Sequence, residues 1–208
     1  MSSVKPSVLL IACGALAREI KTLKRLGGWD HVTVRCLPAK LHNTPDEIPG
    51  AVRKQLEEAN GQYDQLFVAY ADCGTGGLLD SLLAEYGVER LPGAHCYEFF
   101  AGSARFAELH DEEVGTFYLT DFLVRNFDRL VFRGLGLDRH PELLPDYFGN
   151  YRRVVYLAQT PSQELEEKAK DCAKALRLDF EIVFTGLDPF DRALDIVGQG
   201  TASPESAH

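Results

Sequence analysis

Apolar residues come in two rhythms along this chain: short continuous runs, and longer stretches with apolar positions three and four residues apart. The runs read as strands buried on both faces, and the spaced stretches as amphipathic helices. Ser7 to Ala12 is the first run, followed by Ala15 to Leu26, where Leu16, Ile20, Leu23 and Leu26 fall at helical spacing before Gly27-Gly28 ends the element. His31 to Leu37 alternates Val32 and Val34 with Thr33 and Arg35, as a half-buried strand does, and Pro38 closes it. Thr44 and Pro45 open a second helix, Asp46 to Asn60, then Asp64 to Tyr70 is the third strand and Thr75 to Tyr86 the third helix. Such alternation predicts an α/β fold: a mostly parallel sheet with helices on both faces, Rossmann-like and three-layered.

The second half is less regular. Val88 to Gly93 reads as a short strand and turn, Ser103 to Asp111 as a helix, Gly115 to Leu119 as a strand and Asp121 to Leu130 as a helix. Leu135 to Asn150 holds Gly136, His140-Pro141 and Gly149 around a helical piece, Pro141 to Phe148, and reads as a lid or a long connection. Arg153 to Ala158, Pro161 to Leu176, Phe180 to Phe184 and Asp188 to Val197 complete the order as strand, helix, strand, helix. No strong linker interrupts the chain, so residues 1–197 are expected as a single α/β domain and 198–208, rich in Gly, Ser and Pro, as a disordered tail.

Composition narrows the function classes. A net charge of -9 argues against a general nucleic-acid partner, because phosphate backbones demand a basic face. No apolar run approaches the roughly 20 residues that cross a bilayer, and the N-terminus carries no signal-peptide pattern, so a cytoplasmic protein with no membrane partner is expected. Five cysteines, an odd and unevenly spaced set, do not form a disulfide framework in such a compartment.

Two of them stand where strands hand over to helices. The stretch Val68-Ala-Tyr-Ala-Asp72-Cys73-Gly74-Thr75-Gly76-Gly77 reads as strand, glycine loop and helix start, and Ile11-Ala-Cys13-Gly14 repeats the layout. A helix N-terminus favours the thiolate of a cysteine placed there. In open parallel sheets the ligand sits at this carboxyl edge, and His95-Cys96-Tyr-Glu98 follows a short strand that delivers it to the same edge.

Three chemical readings follow. In the first, Cys13, Cys73, Cys96 and His95 bind a metal, either zinc or an iron-sulfur cluster with one open iron, while Glu98 or Asp72 acts as ligand or general base. The glycine loop, Gly74, Thr75, Gly76 and Gly77, with Arg18, then grips an anion. That loop lacks the Gly-x-Gly-x-x-Gly order and the Lys-Ser/Thr of nucleotide loops, so a tight strand-to-helix turn is preferred to a nucleotide site. In the second reading Cys73 is a metal-free nucleophile or proton carrier, with Cys13 or Cys96 as its partner, in a layout similar to that of cofactor-independent amino-acid racemases. The third treats the cysteines as apolar fillers, which is preferred for Cys36 and Cys172. His42 and His140 are further candidates, with a surface-loop role preferred for His42.

The set Ala12-Cys13-Gly14, Arg18-Glu19, Leu41-His42-Asn43, Asp72-Cys73-Gly74-Thr75-Gly76-Gly77 and His95-Cys96-Tyr97-Glu98-Phe99 resembles DUF1638, a family of unknown function in bacteria and archaea. The resemblance implies a setting near corrinoid-dependent methyltransferases of one-carbon metabolism, and carries no reaction with it. Taken with the residues, it favours a metal-dependent enzyme acting on a small anionic or sulfur- or methyl-bearing metabolite. The alternatives are the metal-free thiolate enzyme and a non-catalytic accessory protein that binds metal or cofactor for a methyltransferase system.

Overall fold

Six buried residues, Val8–Cys13, form β1, the strand from which the first sheet is built. Burial of both its faces explains the uninterrupted apolar run, since each fully buried Val, Leu or Ile contributes about 1.5–3 kcal/mol. A computed structural model describes residues 5–199. Over the span 1–197 that the sequence suggests as one domain, it forms two compact units: the chain up to Cys96 together with the segment from Phe190 onward, and Tyr97–Pro189. Of the expected tail, residues 198 and 199 end a short helix and the remainder lies outside the described residues.

In the first unit β1 is followed by α1 (Ala17–Gly27), β2 (Val32–Leu37), α2 (Ile48–Ala59), β3 (Gln65–Ala69), α3 (Leu78–Tyr86) and the short β4 (Glu89–Arg90). The strands are parallel in the order β2-β1-β3-β4. The chain thus leaves β1 toward one edge and returns to its other side. Right-handed crossovers then put α1 on one face of the sheet and α2 and α3 on the other, and α2 does pack beside α3. The reversal creates a topological switch point between β1 and β3, where open α/β sheets bind ligands. Register places Ala12 opposite Ala69, so Cys13 and Tyr70 are the next residues out on neighbouring strands.

On α1, Leu16, Ile20 and Leu23 are buried as the spacing predicts, whereas Leu26 is 70% exposed. At 3.6 residues per turn Leu26 lies about 80° round the helix from Leu16, past the edge of the buried stripe.

The second unit contains α4 (Glu98–Ala101), α5 (Ser103–Glu112), β5 (Thr116–Thr120), α6 (Asp121–Phe127) running into a π turn, α7 (Leu144–Phe148), β6 (Arg153–Ala158), α8 (Gln163–Leu176) and β7 (Asp179–Phe184). Helix α9 (Asp188–Ala193) begins in this unit and ends in the first, which also holds α10 (Asp195–Gln199). Its sheet is again parallel, in the order β5-β6-β7, and has no switch point. Val124, Phe127, Leu165 and Ala169 fill one face, while Leu109 of α5 packs with Tyr118, Val155 and Leu157 on the other. The expected α/β class with helices on both faces therefore holds, with the parallel strands divided between two sheets. Leu137 and Phe148 are buried in this core, so the 135–150 segment is anchored by packing. At the carboxyl edge, buried Asp121 accepts from Tyr156 Oη at 2.7 Å and from the Gln159 N–H at 3.1 Å, and Arg125 stands 3.5 Å from its other oxygen.

Gly14 marks the closest approach between β1 and the chain beyond β2. A Cβ there would sit 2.8 Å from the Leu37 carbonyl oxygen and 3.3 Å from the Ala39 nitrogen, both of them backbone. Gly14→Ala is expected to cost about 1–3 kcal/mol in urea denaturation. Unchanged stability would show that this turn can shift freely.

Candidate active site

The carboxyl ends of three adjacent strands each contribute a buried cysteine: Cys13 from β1, Cys73 after β3 and Cys96 after β4. The Cys73 and Cys96 sulfurs are 2.9 Å apart. Two backbone hydrogen bonds fix this pairing, from Asp72 N–H to the Gly93 carbonyl at 3.1 Å and from Cys73 N–H to the Ala94 carbonyl at 2.8 Å.

Cys73 sits in the left-handed region at φ 51°. A non-glycine residue there costs on the order of 1–3 kcal/mol, so its surroundings must hold it. They do so through Asp72. One carboxylate oxygen accepts from Thr75 Oγ1 at 2.7 Å and Gly77 N–H at 2.9 Å, and the other from Gly74 and Gly76 N–H at 3.2 Å each. Gly74, Gly76 and Gly77 all have positive φ, which turns their N–H groups onto this one carboxylate.

That geometry changes three expectations. The donors expected to grip an anion are already engaged by Asp72. The negative charge at the start of α3 is the Asp72 carboxylate, and it opposes ionisation of Cys73. The hydrogen bonds from Gly77 and Thr75, the first of which is the strongest influence, lower the Asp72 pKa to about 2, and so strongly held a carboxylate is a weak general base.

The Cys73 thiol is nevertheless shifted down. The first cause is the hydrogen bond with Cys96, opposed by burial and aided by the Cys96 and Ala71 N–H groups. Cys96 moves the other way, well above the ordinary thiol value, because it shares that hydrogen bond and is buried. The pair is therefore asymmetric, with ionisation favoured at Cys73 and disfavoured at Cys96. Burial pushes Cys13 up to about 11, against the N–H of Ala15, whose nitrogen is 3.5 Å from the Cys13 sulfur.

Two residues that sequence reasoning passed over belong here. Tyr70 is 1% exposed and its buried hydroxyl lies against the Cys13 thiol. Burial first, then Cys13 and the other two thiols, raise its pKa. The available signal was a tyrosine at a strand end two residues before Asp72-Cys73. Arg90 forms a two-point ion pair with Asp80, at 2.6 and 2.8 Å, and its charge is felt by Asp72 and Cys73. Nothing in the spacing of Asp80 and Arg90 announces that pair.

The other predicted residues are scattered. His95 is half-buried beside His42, and the pKa of His42 is lowered by desolvation and then by His95, although part of the His42 ring remains open to solvent. Arg18 is exposed on α1. Glu98 opens α4 in the second unit, whereas the cysteine cluster lies in the first. Among the described residues no group of three or more His, Cys, Asp or Glu is arranged to hold a metal ion. His140 makes an exposed contact with Glu142 at 3.2 Å. Cys172 is buried on α8 as a filler should be, but Cys36 is exposed because β2 is the edge strand. A cleft of about 550 Å3, lined by Val8, Gln65 and Glu89 among others, opens at the amino edge of the sheet, away from the thiols.

The family model of DUF1638, described as a protein of unknown function, matches residues 36–194, most of the chain. This chain belongs to the DUF1638 family. Within this DUF1638 chain the match takes in Asp72, Cys73, Arg90 and Cys96, while Cys13 precedes it. No curated protein and no solved structure matches it. Among the described residues no helix is long and apolar enough to cross a membrane.

Asp72 carries a prediction with a definite sign. Its native pKa lies below the ordinary carboxylate value of 3.8, so the unfolded chain binds more protons between the two values. The stabilisation is fully present above pH 3.8 and is lost as pH falls toward about 2. Asp72→Ala should destabilise the chain by about 1–2 kcal/mol near neutral pH, as loss of a capping side chain does. It should also flatten the acid limb of stability against pH. Urea melts at several pH values test this, and an acid limb identical to wild type would contradict it.

Proposed function

We propose that this chain is a thiolate-dependent enzyme with Cys73 as its nucleophile and Cys96 as the adjacent proton donor. The observation that carries the proposal is the 2.9 Å contact between a sulfur held toward thiolate and one held toward thiol. Thiolates are the reactive form of cysteine, and a neighbouring acid can protonate a leaving group as the new bond to sulfur forms. In that step the Cys73 sulfur bonds to the electrophilic atom, the leaving group departs with the bonding pair, and Cys96 supplies its proton.

A soft, polarisable nucleophile suits a small sulfur- or methyl-bearing metabolite. This fits the corrinoid one-carbon setting that the family resemblance implies, and both remain part of the proposal. An anionic substrate draws less support, because Asp72 engages the loop donors and Asp80 engages Arg90. A racemase layout is also less favoured, since two sulfurs in contact leave no room for a substrate carbon between them.

A second reading keeps all three thiols and adds zinc or an iron-sulfur cluster. It is supported by the charge of Cys73, felt by both Cys13 and Cys96, and by that of Cys13, felt by Cys96. A cation would reverse that repulsion by holding them as thiolates. Elemental analysis of protein purified without oxygen separates the readings: stoichiometric zinc, or iron with sulfide, supports the metal, and metal-free protein with a reactive Cys73 supports the thiolate. Either enzyme turns over, whereas an accessory protein would bind stoichiometrically.

Limiting iodoacetamide at a pH below the ordinary thiol value, followed by peptide mapping, tests the nucleophile. Cys73, although buried, is expected to be alkylated faster than exposed Cys36, because reactivity follows the thiolate. Preferential labelling of Cys36 with Cys73 silent would overturn the proposal.

A further inference from the structure

We infer that Cys73 and Cys96 form a reversible redox modification site, in which a low-molecular-weight disulfide converts the pair into an intramolecular disulfide and a dithiol reductant restores it. The inference rests on the thiolate reading above and adds an electron-transfer property that nucleophilic catalysis does not require.

Placement is the first ground. The two sulfurs stand 2.9 Å apart in the reduced protein, and a disulfide needs about 2.05 Å, so closure requires less than a bond length of movement. The flanking backbone is held together by the hydrogen bonds from Asp72 to Gly93 and from Cys73 to Ala94.

Exchange chemistry is the second ground. In thiol-disulfide exchange one thiolate attacks and a second thiol resolves. The Cys73 thiolate attacks one sulfur of the small disulfide, forming a mixed disulfide and expelling one small thiolate. Cys96 then gives its proton to that thiolate and attacks the Cys73 sulfur, expelling the second small thiolate. Two electrons pass from the protein pair to the small disulfide, and every sulfur and proton is accounted for. The resolving sulfur is already at hand, because Cys96 stands 2.9 Å from Cys73 before the mixed disulfide forms. Cys13 is a poor resolver, since its sulfur already accepts from Ala15 N–H at 3.5 Å.

The probe is oxidised glutathione added to the full-length reduced chain, read by intact mass and by peptide mapping without reduction. Wild type is expected to lose two hydrogens with no lasting glutathione adduct, to link Cys73 to Cys96, and to revert with dithiothreitol. Cys96→Ser is expected to trap glutathione on Cys73. A persistent adduct on wild-type Cys73, or a link to Cys13, overturns the inference without any variant having to fold. If oxidised glutathione leaves Cys73 untouched while iodoacetamide still labels it fast, the redox inference falls and the thiolate reading stands. If neither reagent reaches Cys73, both fall.

Discussion

The Asp72 carboxylate closes the loop that follows β3, and the position of the Cys73 sulfur depends on that closure. Three glycine N–H groups and a threonine hydroxyl converge on its two oxygens. A strained conformation at Cys73 is tolerable only because this set of charge-assisted hydrogen bonds leaves the loop little alternative. The glycines thus serve the protein's own carboxylate, and through it the geometry of one sulfur.

Topology supplies the second requirement. The order β2-β1-β3-β4 opens a switch point between β1 and β3, and the loops beyond β1, β3 and β4 bring three cysteines and Tyr70 to that edge. Burial there pushes all three thiols the same way, yet the chemically identical groups end up shifted in opposite directions. It raises Cys13 and Cys96, while the hydrogen bond from Cys96 to Cys73 outweighs it at Cys73. Ionisation of one thiol is favoured by the hydrogen bond that its neighbour donates.

Much of this was legible in the residues. Ser7 to Ala12, Asp64 to Tyr70 and Arg153 to Ala158 are largely apolar runs that read as buried strands, and the parallel α/β class follows from their alternation with helices. Cys73 and Cys96 stood out because they lie where such strands end. The pairing of those two sulfurs was not legible, since spacing along the chain says nothing about the order of strands in a sheet. The role of Asp72 was hidden for a different reason: a carboxylate before a glycine loop reads equally as base, ligand or cap, and only the φ angles of Gly74, Gly76 and Gly77 decide. Tyr70 looked like one more strand residue until its hydroxyl was found buried among thiols.

The central claim is that Cys73 is a stabilised thiolate paired with a protonated Cys96. Ultraviolet thiolate absorbance followed as a function of pH, in wild type and in Cys73→Ser, measures this directly. Wild type should show a titration step below the ordinary thiol value of 9.0 that is missing from the variant. A wild-type curve with no step below that value, or one that Cys73→Ser leaves unchanged, would contradict it.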